Sequence, residues 1–148
     1  MPMTEDLIKG LWGILAGDVN LTSKLATYSP PLGSPGPAIF TTNPAPRGAD
    51  MPYIVIGLDD ATPEDSPILE RLICTIDTYV RSGSRLPALA IGQRLEKLWD
   101  FQTPVFTGVT MLGMMRGVKG FVNEDDTEIQ HLHQQFLIRY CRDDLYNA

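Results

Sequence analysis

Two histidines late in the chain, His131 and His133, come closest to a spacing that supports chemistry. Residues two apart on a strand project from the same face, so the two imidazoles can reach one metal ion. Four acidic residues just before them can add oxygen ligands: Glu124, Asp125, Asp126 and Glu128. The spacing fixes no third ligand, because these acids belong to a turn. The pattern therefore favours polar side chains on a solvent or subunit face, and we expect neither a metal nor a cofactor.

Other routes to catalysis lack their motifs. The sequence has no Gly-x-Ser-x-Gly elbow, and its segments GQRLEK and GVTMLGMMRG lack the Gly-Lys-Ser/Thr ending or the open backbone of a phosphate loop. Cys74 lies among apolar residues, where burial keeps a thiol protonated and inert. Cys74 and Cys141 fit no zinc or disulfide spacing, so we expect both to be reduced and buried. The sequence therefore predicts no catalytic residue and no enzyme.

The composition is that of an ordinary globular protein with an acidic balance. Hydrophobic residues make up 43% and charged residues 20% of 148 residues, which is enough for one domain. A formal net charge of −6 argues against tight binding to duplex DNA, because such binding depends on neutralising phosphates. The start MPMTEDLIKG has acids where a signal peptide has positive charge, and no apolar run approaches the roughly 18 residues of a membrane helix. We expect a protein made in a cytoplasm, without a membrane partner.

The order of apolar patterns predicts an α+β fold. Helical spacing of apolar residues covers residues 5–16 and 87–99. Strand-like patterns cover residues 53–58, 72–81, 104–122 and 129–141. The glycines in 104–122 predict bulges or bends. This order indicates one mainly antiparallel sheet with helices packed on one face, in a single domain of residues 1–148.

Two segments outside the regular elements are candidates for contact with other proteins. Residues 29–52 hold seven of the twelve prolines, which predicts a long Pro/Gly-rich loop that is either a contact surface or a simple connection. Four apolar residues of the glycine-rich stretch form either an adaptable contact patch or core: Met111, Leu112, Met114 and Met115. Five arginines are placed either at an interface or in solvent: Arg47, Arg71, Arg81, Arg85 and Arg116. The sequence leaves these alternatives open.

Six segments, in this order, resemble the tail-completion, or tail-terminator, proteins of long-tailed bacteriophages, whose relatives occur in prophages and gene transfer agents. The segments are the helical start LIKGLWGILAGDVNLTSKLA, the Pro/Gly loop, the strands PYIVIG and ICTIDTYVRSGS, the helix IGQRLEKLW, and a late strand with Asp126, His131 and Phe136 at five-residue intervals. They cover nearly the whole chain. Family members usually carry a tryptophan near the end of the central strand, where residues 79–81 here are Tyr-Val-Arg.

The resemblance implies a small structural subunit of the virion without catalytic residues. It implies a ring, hexameric in this family, that caps the growing tail tube and provides the surface that joins the tail to the head. The expected partners are further copies of the chain, the tail-tube protein, and head-tail connector or neck proteins, while DNA passes through without specific binding. Two alternatives remain from the residues: another neck component, such as a head-completion or connector protein, and a small metal-dependent enzyme.

Two sets of residues follow as candidates for the surfaces of such a ring. We expect subunit or partner contacts at Ile39, Phe40, Arg47, Met111, Met114, Met115 and Arg116. Carboxylates lining the channel repel the phosphates of passing DNA. The candidate lining residues are Asp59, Asp60, Glu64, Asp65, Glu124, Asp125 and Asp126.

Overall fold

The computed structural model describes residues 2–42, 44–63, 68–106 and 108–142, without the side chains of residues 2–5 and 59–61. The helices are α1 (Pro2–Ala16), α2 (Val19–Thr22) and α3 (Leu86–Trp99). The strands are β1 (Thr27–Tyr28), β2 (Gly36–Pro37), β3 (Ile39–Phe40), β4 (Tyr53–Pro63), β5 (Leu69–Arg81), β6 (Val105–Phe106), β7 (Val109–Val122) and β8 (Ile129–Arg142). None of the helices in these ranges has the length and apolar character needed to cross a membrane.

The main sheet has six strands in the order β3-β4-β5-β8-β7-β6. Every neighbouring pair is antiparallel except β3 with β4, which is parallel. This confirms the prediction of a mixed α+β fold with a mainly antiparallel sheet. The pairing of β7 with β8 is irregular between Met111 and Gly113 and again between Arg116 and Lys119, in the stretch where the glycines predict bulges. Bulges bend and twist a strand, which agrees with the curled form of this sheet.

One apolar core joins residues of all three helices with alternate residues of the long strands. In β5 the buried positions are Leu72, Cys74, Ile76, Thr78 and Val80, as the alternation of the sequence predicts. The Trp99 ring of α3 meets the Phe136 ring of β8 edge to face at 5.2 Å. Both rings are fully buried, so this contact fixes the C-terminal half of α3 on the sheet.

The turn between α1 and α2 is tied to α3 by one carboxylate. Asp18 is the N-cap of α2, and its side chain accepts a hydrogen bond from the Leu21 N–H at 2.9 Å. Arg94 of α3 donates two further bonds to the same carboxylate, at 2.7 and 2.8 Å. Mainly because of the Arg94 hydrogen bond, and despite desolvation, the pKa of the Asp18 carboxyl lies below its usual range. Aspartate is among the preferred N-cap residues, so this role agrees with the residue type at position 18.

The proline-rich segment packs at the β3–β4 edge of the sheet. It contains β2, which pairs with β1 just before the segment, and β3, which pairs with Ile54 and Val55 of β4. A second apolar cluster, on the side of β4 away from the main core, is built from Ala38, Phe40 and Val55 with partly buried neighbours. These neighbours are Ala26, Tyr28, Ala45, Ala49, Tyr53 and Tyr79. Trp12 of α1 adds a bond from its indole N–H to the carbonyl oxygen of Ile39 at 3.0 Å.

Candidate functional site

The histidine pair belongs to a network of charged groups on the sheet face away from the main core. Nδ1 of His131 lies 2.7 Å from Oε1 of Glu124, and its Nε2 lies 2.6 Å from Oδ1 of Asp77. Nδ1 of His133 lies 2.8 Å from the same Asp77 oxygen. Carboxylate oxygens only accept hydrogen bonds, so His131 satisfies both neighbours when both of its nitrogens carry protons. The geometry therefore favours the imidazolium form of His131.

The ionisation of this network follows from burial and from its hydrogen bonds. Burial alone disfavours the charged imidazole, but the bonds to Asp77 and Glu124 outweigh it and hold the pKa of His131 above its ordinary value. Burial likewise acts to raise the pKa of Asp77, and the bonds from His131 and His133 outweigh it, so that this pKa lies below its ordinary value. The network is thus a cation and an anion that stabilise each other in a half-buried position.

A series of stacked rings fixes the plane of the His131 imidazole. Tyr79 stacks on His131 with centroids 4.2 Å apart, and Tyr53 stacks on Tyr79 at 5.0 Å. Phe40 meets Tyr53, and Tyr28 meets Phe40, both edge to face at 5.8 and 5.1 Å. Burial, with a smaller effect of the Asp77 charge, raises the pKa of Tyr79 to about 12, so the phenol stays neutral. The series links β8 to the proline-rich segment across β5 and β4.

The sequence interpretation of the two histidines as exposed polar residues is wrong for His131, which is 8% exposed. Among the described residues no three His, Cys, Asp or Glu side chains are grouped to hold a metal ion. Sequence reasoning did not pick out Asp77, although the alternation of β5 places it on the outer face. Its link to the histidines depends on register, since Asp77 pairs with His133 and Tyr79 with His131 in adjacent strands. Register across distant segments leaves no signal in one sequence.

The candidate contact residues of the proline-rich segment are mostly core residues in this structure. Ile39 lies in the main core and Phe40 in the second cluster, at 4% and 8% exposure. Arg47 is exposed. Of these three candidates, only Arg47 therefore presents its side chain at the surface.

The methionine patch divides between core and surface. Met114 is fully buried and Met111 is 8% exposed, so both take the core alternative in this structure. Met115 and Leu112 are 49% and 41% exposed. Leu112 and Met115 thus take the surface alternative. Further along β7, Val118 is 66% exposed, and this extends the exposed apolar positions towards the end of the strand.

The outer edge of β7 is covered only over its first half. Strand β6 pairs with Val109 and Thr110. The Phe101 N–H then donates to the Met114 carbonyl oxygen at 2.8 Å, and the Arg116 N–H donates to Oδ1 of Asp100 at 3.0 Å. No described residue provides a strand or a hydrogen bond along the outer side of Gly117–Val122. This six-residue segment is a free sheet edge.

The cations of β7 pair with the acids at the end of α3. Arg116 lies 3.1 Å from Asp100 and 3.5 Å from Glu96, and Nζ of Lys119 lies 2.7 Å from Glu96. Arg81 forms a similar surface pair with Asp126 at 3.0 Å. Exposed pairs of this kind contribute little to stability. They orient the side chains and leave several guanidinium and ammonium donors available.

The acidic turns lie at opposite ends of the sheet. The β4–β5 connection adjoins Glu70, which pairs with Tyr140 of β8, whereas the β7–β8 turn adjoins Arg81, which pairs with Ile129. Strand β5 has 13 residues and is about 40 Å long, so its two ends are about 40 Å apart. In the β7–β8 turn, Asp125 is exposed, whereas Glu124 and Asp126 are engaged by His131 and Arg81. The other candidate lining groups, the side chains of Asp59 and Asp60 and the residues Glu64 and Asp65, lie outside the described part of the structure.

Comparison with known proteins finds similarity among solved structures. No protein-family model matches the chain, and no curated protein matches it. Among solved structures, a chain in the structure described as "Virion of native gene transfer agent (GTA) particle" has a TM-score of 0.75 and 13% sequence identity. The match covers 93% of this chain and 96% of that chain. At this identity the similarity shows that the two chains share a fold over nearly their whole lengths.

Proposed function

We propose that this chain is a structural, non-enzymatic protein of a phage-like virion, and that it forms the ring that closes the tail tube and joins the tail to the head. The observation that carries the proposal is the near full-length fold similarity to a chain of a gene transfer agent virion. The resemblance of the sequence to tail-terminator proteins, which rests on the order of its segments, supports the same class. The proposed location is the tail or neck region of the virion.

A ring of identical subunits needs two different contact surfaces on each chain, because its interfaces are head to tail. Exposed side chains of the candidate set are available for this role: Arg47, Met115 and Arg116. The buried members support those surfaces from behind: Ile39, Phe40, Met111 and Met114. A ring of six, as the resemblance implies, is the proposed assembly, with the tail-tube protein on one side and a connector or neck protein on the other.

The acidic candidates suit the wall of a channel through which DNA passes. Carboxylates at the channel surface repel phosphate and keep the genome from adhering during transit. Asp125 is an exposed residue of the β7–β8 turn with no ion pair described, and Glu64 and Asp65 are further candidates from the sequence. Replacing Asp125 together with Glu64 and Asp65 by lysines is expected to leave assembly intact and to slow DNA release. Release at the normal rate from such particles would remove this part of the proposal.

The proposed role is tested by producing particles without this protein and imaging them. A tail terminator predicts tails of abnormal length that do not join heads. Normal tails beside heads that leak DNA would instead assign the chain to another neck component, the alternative from the sequence. Purified protein provides a second measurement, because native mass spectrometry should detect a species of six chains, alone or on tail tubes. Monomer at every concentration, with no binding to tubes, would contradict the ring.

The metal-dependent enzyme has less support from the geometry than from the sequence. Both nitrogens of His131 contact carboxylate oxygens, which favours its imidazolium form, and an imidazolium has no lone pair for a metal ion. Elemental analysis of the purified protein and of a variant with both histidines replaced by alanine tests this role. Stoichiometric metal in the wild type that the variant loses would revive it.

A further inference from the structure

We infer that, in the proposed ring, the free edge of β7 in one copy pairs with the free edge of β4 in the next copy, so that the sheet continues from subunit to subunit. This rests on the proposed function, which requires a head-to-tail ring but leaves its contact undefined. The partner is a second copy of this chain.

Each subunit has one uncovered edge at each side of its sheet. On one side, no described residue covers the outer side of Gly117–Val122. On the other side, β3 pairs only with Ile54 and Val55, and no described residue pairs with the outer side of β4 from Ile56 to Pro63. An uncovered edge carries unpaired backbone donors and acceptors, which another strand can satisfy.

The strand directions allow the two edges to pair in the manner of the rest of the sheet. Four long strands, β4, β5, β8 and β7, follow one another in antiparallel order, so β4 and β7 run in opposite directions. Rotation about an axis that lies roughly along the strands preserves their directions. The β7 edge of one copy therefore meets the β4 edge of the next copy in antiparallel orientation.

The strand segments of the two edges carry residues of opposite charge, and the two cations of β7 also contact Glu96 and Asp100. Residues 101–123 contain two cations, Arg116 and Lys119, and no acid. Residues 48–69 contain five acids and no cation, and two of these acids, Asp59 and Asp60, lie in β4 itself. Lys119 is the cation within the free part of β7, and its side chain is 33% exposed. Placing Lys119 opposite Asp60 pairs Gly117–Val122 with Gly57–Thr62.

The displacement that this pairing requires is typical of closed sheets. Within one subunit, Ile56, Ile76, Gln134 and Lys119 lie at one level across the sheet. Within one subunit Lys119 lies level with Ile56, whereas the proposed contact places it level with Asp60 of the next copy. Neighbouring copies are therefore displaced by four residues, or about 13 Å along the strands. Each copy contributes four strands, which are about 19 Å wide together. A displacement of about 13 Å over this width tilts the strands by about 35° to the ring axis, an angle in the range of β-barrels. In this arrangement the β4 backbone at Asp59 and Asp60 belongs to the subunit contact.

Chemical cross-linking tests the pairing directly. The variant with Gly117→Cys and Thr62→Cys places one thiol on each edge, at positions that lie directly opposite each other in neighbouring copies, and a Cβ at Gly117 meets no atom closer than 3.5 Å. A short bis-maleimide is expected to give a series of linked chains that ends at six. Each single variant is expected to give no such series, and these variants also report any background from Cys74 and Cys141. Six-chain rings that do not cross-link in the double variant would refute the edge pairing and leave the ring intact.

Charge reversal gives an independent readout. Lys119→Glu is expected to raise the protein concentration needed for half-assembly by about tenfold, because it places like charges across the contact. Combining it with Asp60→Lys is expected to restore assembly. Lys97→Glu, an equal change at an exposed position of α3, is the matched control and is expected to assemble normally.

The outcomes separate the edge pairing from the proposed function. Failure of Asp60→Lys to rescue assembly would argue against the pairing. Absence of any six-chain species in the wild type, with or without tail tubes, would instead remove the ring on which the pairing depends. Cross-links to the tail-tube protein in place of a second copy would show that the β7 edge binds the tube, and would overturn the inference.

Discussion

The carboxylate of Asp77 provides a direct test of the charged network, through the substitution Asp77→Asn. This change keeps the size of the side chain and removes the charge that both histidines contact at 2.6 and 2.8 Å. Hydrogen bonds to charged groups contribute about 1.5–3 kcal/mol each, and the asparagine oxygen keeps one neutral bond of about 1 kcal/mol. Because the Asp77 side chain is 22% exposed, solvent screens part of the difference. We expect a loss of about 2 kcal/mol in the free energy of unfolding near pH 5.5.

The pH dependence of this loss identifies its cause. The pKa of His131 is raised above 6.5, so its contribution is complete below pH 6.5 and disappears as the pH rises through the folded-state pKa. The pKa of Asp77 is lowered below 3.8, so its contribution is present above pH 3.8 and disappears as the pH falls through the folded-state pKa. The cost of Asp77→Asn is therefore expected to be greatest between these limits. It should fall by about half or more at pH 9.

Urea unfolding followed by circular dichroism measures these values, at a protein concentration where light scattering shows one unchanged species. Asp125→Asn removes the same charge from an exposed position of the neighbouring turn, and we expect it to change stability by less than about 0.5 kcal/mol. An equal loss for Asp77→Asn at pH 5.5 and pH 9 would refute the role of the imidazolium. So would a loss no larger than that of the Asp125 control.

Two further predictions concern packing and capping. Gly10→Ala should lower the free energy of unfolding in urea by about 1–3 kcal/mol, because the new Cβ would lie 2.5 Å from the Phe106 ring. Gly13→Ala on the same helix meets no atom within 4 Å and should raise it by up to about 1 kcal/mol. Equal effects of the two substitutions would contradict the close contact between α1 and Phe106. Asp18→Ala should lose at least about 1 kcal/mol, because it removes both the α2 cap and the carboxylate that Arg94 contacts. The loss is measured against Asp50→Ala at an exposed site, and a neutral result would show that neither contact stabilises the fold.

The sequence predicts the parts of the fold that depend on local patterns. Apolar spacing places the main helices, although α1 begins at Pro2 and not at residue 5. Serine is a preferred N-cap residue, but the cap position of α3 is Arg85, and the Ser84 hydroxyl accepts a bond from the Leu86 N–H at 3.2 Å. Helix ends are sensitive to a few competing backbone bonds, so an error of one residue in the cap is expected.

The candidate site was less predictable because it depends on contacts between distant segments. The alternation of β8 correctly separates His131 and His133 from Phe136 and its neighbours. It does not show that Tyr79 and Glu124 bury His131, since those contacts come from strand register and from the turn. The methionines divide between core and surface according to the bulges of β7, whose positions shift which side chains face inward.

The cover that Asp100 and Phe101 place over half of the β7 edge limits how strongly two chains can adhere. A fully open strand of this length is a template for uncontrolled stacking into fibres, whereas six residues give only a few interchain backbone bonds. A single such contact is weak and dissociates readily, so wrongly joined chains can separate. In the proposed ring every subunit would be held at two contacts at once, so a closed ring would persist where short open chains fall apart.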